Sequence, residues 1–432
     1  MTAQRAAVPE RRGFCPGLST PLPTGDGLLV RLIPIGTISL RAFAALCGAA
    51  LRHGNGIIEV TARGSLQVRG LTEESVTPFA RDVGRLGIAA DDGVPILCNP
   101  LAGLQSEEIV DAPALATALR RALAGTSLPE HLAAKCSVII DGGGSLNLAQ
   151  IPADIRLCAQ WLNGEPALRV AAGGNETDAV DLGCIAPDRA VECVLRLLAV
   201  LARRGRGVRA RDLIASGDTS LLREAASQST TNSAYHFDPA RKARTSGDVI
   251  GLRQLRDGSL ACGIGLAFGH AEATALERLA DAATMAGAGG WRIAPDRALL
   301  AIGLSAQGAA VLATAAERLG FVTKAGDPRR FVLACAGAPL CPSGHIAARA
   351  MAPHIALTAG PYLRKGLTVH ISGCAKGCAH PAVAALTIVG TGDECALIEN
   401  GSTHDAPFAS ASVPDLPAAI TRHLGKRGTE HV

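Results

Sequence analysis

Two spacings of apolar residues alternate through the first hundred positions of the chain. Val30 to Ile35, Ile57 to Thr61 and Leu66 to Arg69 are short β-branched or alternating runs, which predict strands. Leu40 to Arg52 and Glu74 to Leu86 repeat their apolar positions at helical spacing, so strand and helix are expected in turn. The same pattern returns further on. Asp26-Gly27-Leu28-Leu29 opens one copy and Asp257-Gly258-Ser259-Leu260 the other; Arg63, Leu66 and Gly70 are answered by Arg297, Leu299 and Gly303; Arg85-Leu86-Gly87-Ile88 is answered by Arg318-Leu319-Gly320-Phe321. Leu132, Val138, Ile140 and Gly142 find Leu363, Val369, Ile371 and Gly373 at a constant offset of 231. Ordered agreement at so many points predicts an internal duplication, and each copy reads as strand, helix, strand, helix and a larger mixed segment. An α+β class follows. The Ser, Thr, Arg and Gly-rich segment 228–256 reads as a linker, and a last short helix is expected after His404.

Composition narrows the function classes. A chain of 432 residues has room for about three compact units. With 42 Lys+Arg against 38 Asp+Glu, the formal charge of +4 is too small for a nucleic-acid stripe to dominate, and 3% aromatic residues offer few rings for base stacking. Charges, Gly or Pro interrupt every apolar run before about 18 residues, so no membrane span is expected. Arg11-Arg12-Gly13-Phe14 looks superficially like a twin-arginine signal, but Cys15 to Gly27 holds three prolines and three glycines where an apolar stretch should follow. A cytoplasmic location is expected, with its thirteen cysteines reduced or bound to metal.

Nine cysteines are scattered singly and read as small buried hydrophobes. The other four form two pairs, Cys335 with Cys341 and Cys374 with Cys378, among Gly337, Pro339, Gly344, Gly373 and Gly377. Four thiolates on two glycine-rich loops suit a 4Fe–4S cluster. Structural zinc favours two or four residues between paired cysteines and fits the spacing poorly; unrelated core cysteines are the remaining reading.

Cys335-Ala-Gly-Ala-Pro-Leu-Cys341 followed by Ser372-Gly373-Cys374-Ala-Lys-Gly-Cys378 resembles the cluster motif of the sirohaem sulfite and nitrite reductase superfamily. Thr61, Arg63 and Gln67 resemble its Thr-x-Arg-x-x-x-Gln strand pair, which faces a tetrapyrrole. Within that superfamily the chain is similar to the precorrin-3B synthase family, through Arg12 to Gly17, Thr24 to Arg31, Cys98 to Gly103, Asp141 to Gly144 and Gly373 to Pro381. The resemblance implies a pseudo-twofold fold. It pairs a ferredoxin-like half-domain (13–90) and an α/β domain (91–227) with a second half-domain (257–322) and an iron–sulfur α/β domain (323–425).

The resemblance also implies an oxygen-dependent monooxygenase of aerobic cobalamin biosynthesis, hydroxylating precorrin-3A at C20 with closure of a γ-lactone. Its alternative is a sirohaem nitrite or sulfite reductase. Reductases of this kind gather basic side chains over the iron. Arg63 and Lys135 match two of these positions, while Ser137 and Val94 or Pro95 stand at the other two, which argues for a tetrapyrrole received as substrate and for no resident sirohaem. A polycarboxylate substrate needs fixed cations, so Arg63, Gln67, Arg69, Lys135 and Arg297 are the expected contacts, with Arg63, Gln67 and Arg69 on one strand face if alternation is strict. Oxygen activation calls for an open coordination position, hence a mononuclear non-haem iron beside the cluster, with NADH as ultimate donor through a reductase partner. His345, His370 and His380 are the nearest imidazoles, without a ligand pattern that fixes the iron. Gly263, Gly265 and Gly269 make a weak dinucleotide fingerprint with one residue too many before the last glycine.

Overall fold

The computed structural model describes residues 16–91, 93–229, 246–363, 367–380 and 382–428. Arg11, Arg12 and Cys15, most of the linker expected at 228–256, and Pro381 lie outside the described residues. The chain forms two compact units. One holds the described residues of Met1–Leu22 and Ala90–Gly247, the other those of Pro23–Ala89 and Asp248–Val432. The first half-domain is therefore grouped with the second half of the chain.

Strands β1 (Leu22–Thr24), β2 (Gly27–Leu32), β3 (Ile57–Val60) and β4 (Leu66–Leu71) form the first half-domain sheet. Helices Leu40–His53 and Glu73–Gly84 follow the predicted apolar spacing; the Ser39 hydroxyl caps the first and Thr72 with Ser75 makes a capping box on the second. In the α/β segment of the other unit, β5 (Ile96–Cys98), β6 (Val138–Asp141), β7 (Ala153–Leu162), β8 (Glu165–Gly174) and β9 (Val180–Ile185) lie in chain order. The β5–β6 and β6–β7 pairs are parallel and the β7–β8 and β8–β9 pairs antiparallel. Its all-buried inner strand Val138–Asp141 is the continuous apolar run that a sheet covered on both faces demands.

The second half-domain contains β10 (Gly251–Gln254), β11 (Leu260–Gly265), β12 (His270–Glu272), β13 (Gly290–Ala294) and β14 (Ala298–Leu304). The segment expected as linker up to 256 thus includes strand β10, antiparallel to β11. Its polar Arg253 and Gln254 hid it from a hydrophobic pattern, because an edge strand needs backbone pairing more than buried side chains. The weak fingerprint glycines fall on β11 and on the single 3₁₀ turn Ala267–Gly269 that leads into β12, and the α-helix begins only at Ala273, so the structure does not build a dinucleotide loop there. Strand β12 leaves its own copy and pairs with β3 of the first sheet, Ala271 opposite Ile58, while Ile38 of the first copy bridges to Trp291 on β13. Adding 233 converts one contact into the other. The reciprocal exchange ties the half-domains together within one unit.

The last sheet runs β15 (Val332–Ala334), β16 (Val369–Ser372), β17 (Ala384–Gly390), β18 (Glu394–Gly401) and β19 (Ala409–Ser412), again in chain order with two parallel and then two antiparallel pairs. Helix Ala348–Ala359 connects β15 to β16 as Ala112–Ala124 lies between β5 and β6. The expected final helix is Leu416–Gly428, and no described helix is long and apolar enough to cross a membrane.

Candidate functional site

Both cysteine pairs begin where two neighbouring parallel strands end. Leu333 lies opposite His370 and Ala334 opposite Ile371, so Cys335, one residue past β15, meets the Ser372-Gly373-Cys374 turn past β16. The Cys335 amide donates to the Ile371 carbonyl at 3.2 Å, and the Gly373 amide donates to Cys335 Sγ at 3.1 Å. A methyl group at Gly373 would lie 3.0 Å from the Gly337 Cα and 3.2 Å from the Gly344 Cα, which explains glycine at these crossings. Lys376 bonds Ser343 at 3.1 Å, a further link between the two loops.

The four thiols lie within electrostatic reach of one another. Burial pushes the Cys335 thiol up, opposed by the Gly373 and Gly337 amides and aided by Cys374 and Cys341. Cys378 reaches solvent; its thiol is also raised, by desolvation first and then by Cys335 and Cys374, while Arg69 pulls it down. Among the described residues no three Cys, His, Asp or Glu side chains converge closely enough to hold a single metal ion. Four thiols gathered on two loops, with an amide donating to sulfur, are the donor set that an iron–sulfur group requires. Of the three histidines near the cysteines in sequence, His345 is exposed, and the His370 and His380 rings meet edge to face at 5.8 Å.

Against the thiols stands a polar row across the first half-domain sheet. Register places Arg31 opposite Gln67, Gln67 opposite Glu59 and Glu59 opposite His270, so four polar side chains line one face. In the orientation that satisfies both neighbours, the Gln67 amide donates to Glu59 Oε2 at 3.0 Å and accepts from Arg31 Nε at 3.0 Å. Arg69, two residues along β4, donates to Asp26 at 2.8 and 2.5 Å and to Glu59 at 3.3 Å. Burial pushes the Asp26 carboxyl up, and the Arg69 bonds outweigh it and hold the group below the usual carboxylate range. Glu59 also accepts from Arg349, in the first turn of helix Ala348–Ala359, at 3.0 Å. Arg349 Nε and Nη1 are buried without partners. Desolvation, then the Arg349 charge, lowers His270 to about 4.

The Asp26–Arg69 pair has a second effect. It anchors the Thr24-Gly25-Asp26 turn, and a methyl group at Gly25 would sit 2.0 Å from Cys341 Sγ. The first half-domain thereby touches the cysteine loops.

The expected substrate contacts divide under this geometry. Gln67 and Arg69 share a face, as alternation predicted, but Arg63 lies exposed in the β3–β4 turn and not on the strand, because the hairpin reverses at 62–64. Arg69 has all three guanidinium nitrogens engaged by Asp26 and Glu59. Lys135 is exposed in the turn before β6 and belongs to the other unit. Arg297 occupies the β13–β14 turn, the counterpart of Arg63, and is largely enclosed. Sequence reasoning missed Asp26, Glu59, His270 and Arg349. Asp26 stood in a quoted motif and Glu59 is an acidic residue in a strand-like apolar run, but nothing local marked His270 or Arg349, and Arg69 and Arg349 lie 43 and 290 positions from the carboxylates they bind.

Residues 20–86 fit the family model described as the nitrite/sulfite reductase ferredoxin-like half domain. A precorrin-3B synthase from Sinorhizobium sp. is 39% identical over 417 residues, covering 96% of this chain and 88% of the relative. A ferredoxin–nitrite reductase from Synechococcus elongatus is 24% identical over 86% of this chain and 77% of its own length. The solved structure of the Mycobacterium tuberculosis NirA protein superposes with a TM-score of 0.72 at 20% identity, covering 91% of this chain and 80% of that one, and shares the fold.

Proposed function

Because the chain belongs to the precorrin-3B synthase family, we propose that it is the oxygen-dependent monooxygenase that converts precorrin-3A into precorrin-3B in aerobic cobalamin biosynthesis. The observation that carries this reading is the identity of 39% sustained along 96% of the chain. A 4Fe–4S cluster held by Cys335, Cys341, Cys374 and Cys378 would pass single electrons. Dioxygen as co-substrate, a mononuclear non-haem iron, NADH as ultimate donor, an electron-donating reductase and a cytoplasmic setting complete the proposal. The balance is that of a monooxygenase: one oxygen atom enters the substrate, at C20, and the other leaves as water with two electrons and two protons drawn from the reduced nicotinamide and solvent.

The chain's own residues supply binding and orientation. Arg63, Gln67, Lys135 and Arg297 are proposed to receive the substrate's carboxylates, since arginine forks suit bidentate pairing. Glu59 has another task. It ties Gln67, Arg69 and Arg349 together, so the polar face is rigid before substrate arrives and little ordering cost remains at binding. Arg69 fixes the Gly25 turn over Cys341, keeping the binding face registered on the thiols.

The relationship to a nitrite reductase motivates the alternative reading, a sirohaem-dependent nitrite or sulfite reductase. Ser137, and Val94 or Pro95, at expected cation positions weigh against it, because a small oxyanion is held by little else. The test is turnover: anaerobically purified protein given precorrin-3A, NADH, a reductase and then air should yield a lactone product heavier by one oxygen atom. Unchanged precorrin-3A from a protein that consumes nitrite or sulfite would select the alternative.

A further inference from the structure

Two separate sets of contacts hold Arg349, and both end on the loop of Cys341. Arg349 lies in the first turn of helix Ala348–Ala359, and the residue before it packs on the loop between Cys335 and Cys341: a methyl group at Gly337 would lie 2.5 Å from the Ala348 amide nitrogen and 3.0 Å from its Cβ. The Ala338 amide donates to the Ile346 carbonyl at 2.8 Å and the Cys341 amide to the Gly337 carbonyl at 2.8 Å, so this loop folds back onto the start of the helix. On the other side, Arg349 Nη2 donates to Glu59 Oε1 at 3.0 Å and Arg69 Nη1 to Glu59 Oε2 at 3.3 Å. Arg69 in turn holds Asp26, whose neighbour Gly25 lies against Cys341 Sγ.

The guanidinium so held is only partly used. Its side chain is 13% exposed, Nη2 is engaged by Glu59, and Nε and Nη1 are buried without partners. Unpaired N–H groups are costly to bury, the more so on a charged group, so two of them on one enclosed guanidinium point to an acceptor that arrives with a bound group. The acceptor that the neighbouring loops gather is sulfur. The Gly373 amide already donates to Cys335 Sγ at 3.1 Å, and the Cys335 charge is felt at Arg349 as the Arg69 charge is at Cys378. As thiols these cysteines accept weakly; as thiolates on iron, beside sulfide, they carry the negative charge that strong guanidinium bonds require.

We propose that Arg349 is the charged hydrogen-bond donor to the sulfurs of the 4Fe–4S cluster and raises its reduction potential above what four thiolates alone would give. The inference rests on the cluster reading of the four cysteines. Reduction adds one electron, supplied by the electron donor, and breaks no bond, so the cluster becomes more negative by one charge. A fixed cation nearby stabilises that reduced form, and hydrogen bonds to sulfur act in the same sense. Glu59 holds Arg349 in place and opposes it through its own charge, so the two side chains pull the potential in opposite directions.

The experiment is a dye-mediated redox titration of the cluster-loaded full chain under argon, with dithionite as reductant and the reduced cluster read by electron paramagnetic resonance and optical bleaching. Poised at the wild-type midpoint, Arg349→Gln should show a reduced-to-oxidised ratio about tenfold lower, equivalent to 59 mV for a one-electron couple. Arg349→Lys keeps the charge without the planar fork and should recover part of the loss. Because the cation is enclosed, the shift should persist in high salt. Glu59→Gln should move the ratio the other way, a sign that general loosening of the site would not produce, and it decides the matter if Arg349→Gln assembles no cluster. A ratio within about twofold of wild type in Arg349→Gln, or a fall in Glu59→Gln, would overturn the proposal. The two readings fail separately: a wild-type cluster whose potential ignores Arg349 removes this inference alone, whereas wild-type protein without iron and sulfide removes the cluster and the inference with it.

Discussion

The two α/β sheets of this chain share strand order and pairing, yet the loops leaving their equivalent strands hold different chemistry. Past β5 stands Asn99, whose Nδ2 donates to the Gly143 carbonyl at 2.7 Å, and at the end of β6 the Asp141 carboxylate accepts from the Gly143 and Leu148 amides of the loop that follows, at 3.0 and 3.2 Å. Gln105 bridges to Ser145 at 2.7 Å. These loops close on themselves. Past β15 the position of Asn99 is taken by Cys335 and past β16 the position of Gly143 by Cys374, and the amide at Gly373 points to a sulfur. Two adjacent parallel strands always deliver two loop starts side by side; the residues placed there decide whether the loops seal with hydrogen bonds or leave thiols to hold a cofactor. Duplication supplied the frame twice and the chemistry once.

The half-domains differ in the same way. In the first, the row Arg31, Gln67, Glu59 and His270 is polar; in the second the equivalent row reads Gly263, Leu300 and Arg292, with only one charge. The row without carboxylates belongs to the half that carries Arg297 in its β13–β14 turn.

The largest break in the comparison is Cys374→Ser. Removing one thiolate should abolish cluster assembly, read as loss of visible absorption and acid-labile sulfide, whereas an intact cluster would remove this ligand from the set. Next is Arg69→Ala, which strands the Asp26 carboxylate, 2% exposed, and frees the Gly25 turn. A loss of about 3–5 kcal/mol is expected from unfolding measurements, because one member of a buried pair is left charged; a change below about 1 kcal/mol would show the pair to be solvated.

A smaller effect separates the sheets by pH. The free His370 imidazole titrates near 6.5 in the unfolded chain but near 4 in the folded one, with His380 and Arg297 facing it. The unfolded state therefore binds more protons below about pH 6.5, stability falls as pH drops, and the loss levels off below about 4. Between pH 7 and 5 the wild type should lose about 2 kcal/mol more than His370→Leu; equal losses would mean that the histidine is solvated. Smallest is Asn99→Ala in the sealed sheet. It should cost about 1 kcal/mol in stability and leave the cluster untouched, and cluster loss in that variant would refute the division of labour.

Much of this organisation was legible in the sequence because it is periodic or covalent in spacing. Apolar runs marked β2 to β4 and their helices, ordered matches marked the duplication, and the two cysteine pairs marked the thiol loops. What escaped depended on distant pairing. Asp26 was visible as part of a motif, but nothing local revealed Arg69 as its partner 43 residues away. Strict alternation placed Gln67 and Arg69 together, yet placed Arg63 wrongly, because one turn ends the alternation. Strand exchange through β12 has no signature in three residues, His270–Glu272, whose neighbours come from the other copy.

The central claim is that the four thiols hold an iron–sulfur cluster beneath a binding face whose tetrapyrrole comes and goes as substrate. Its most direct measurement is iron, sulfide and sirohaem quantified together with the optical spectrum on protein purified without air. The account predicts about four cluster irons and four sulfides, additional iron, and no sirohaem. One sirohaem per chain, with nitrite or sulfite reduced at its expense, would contradict it.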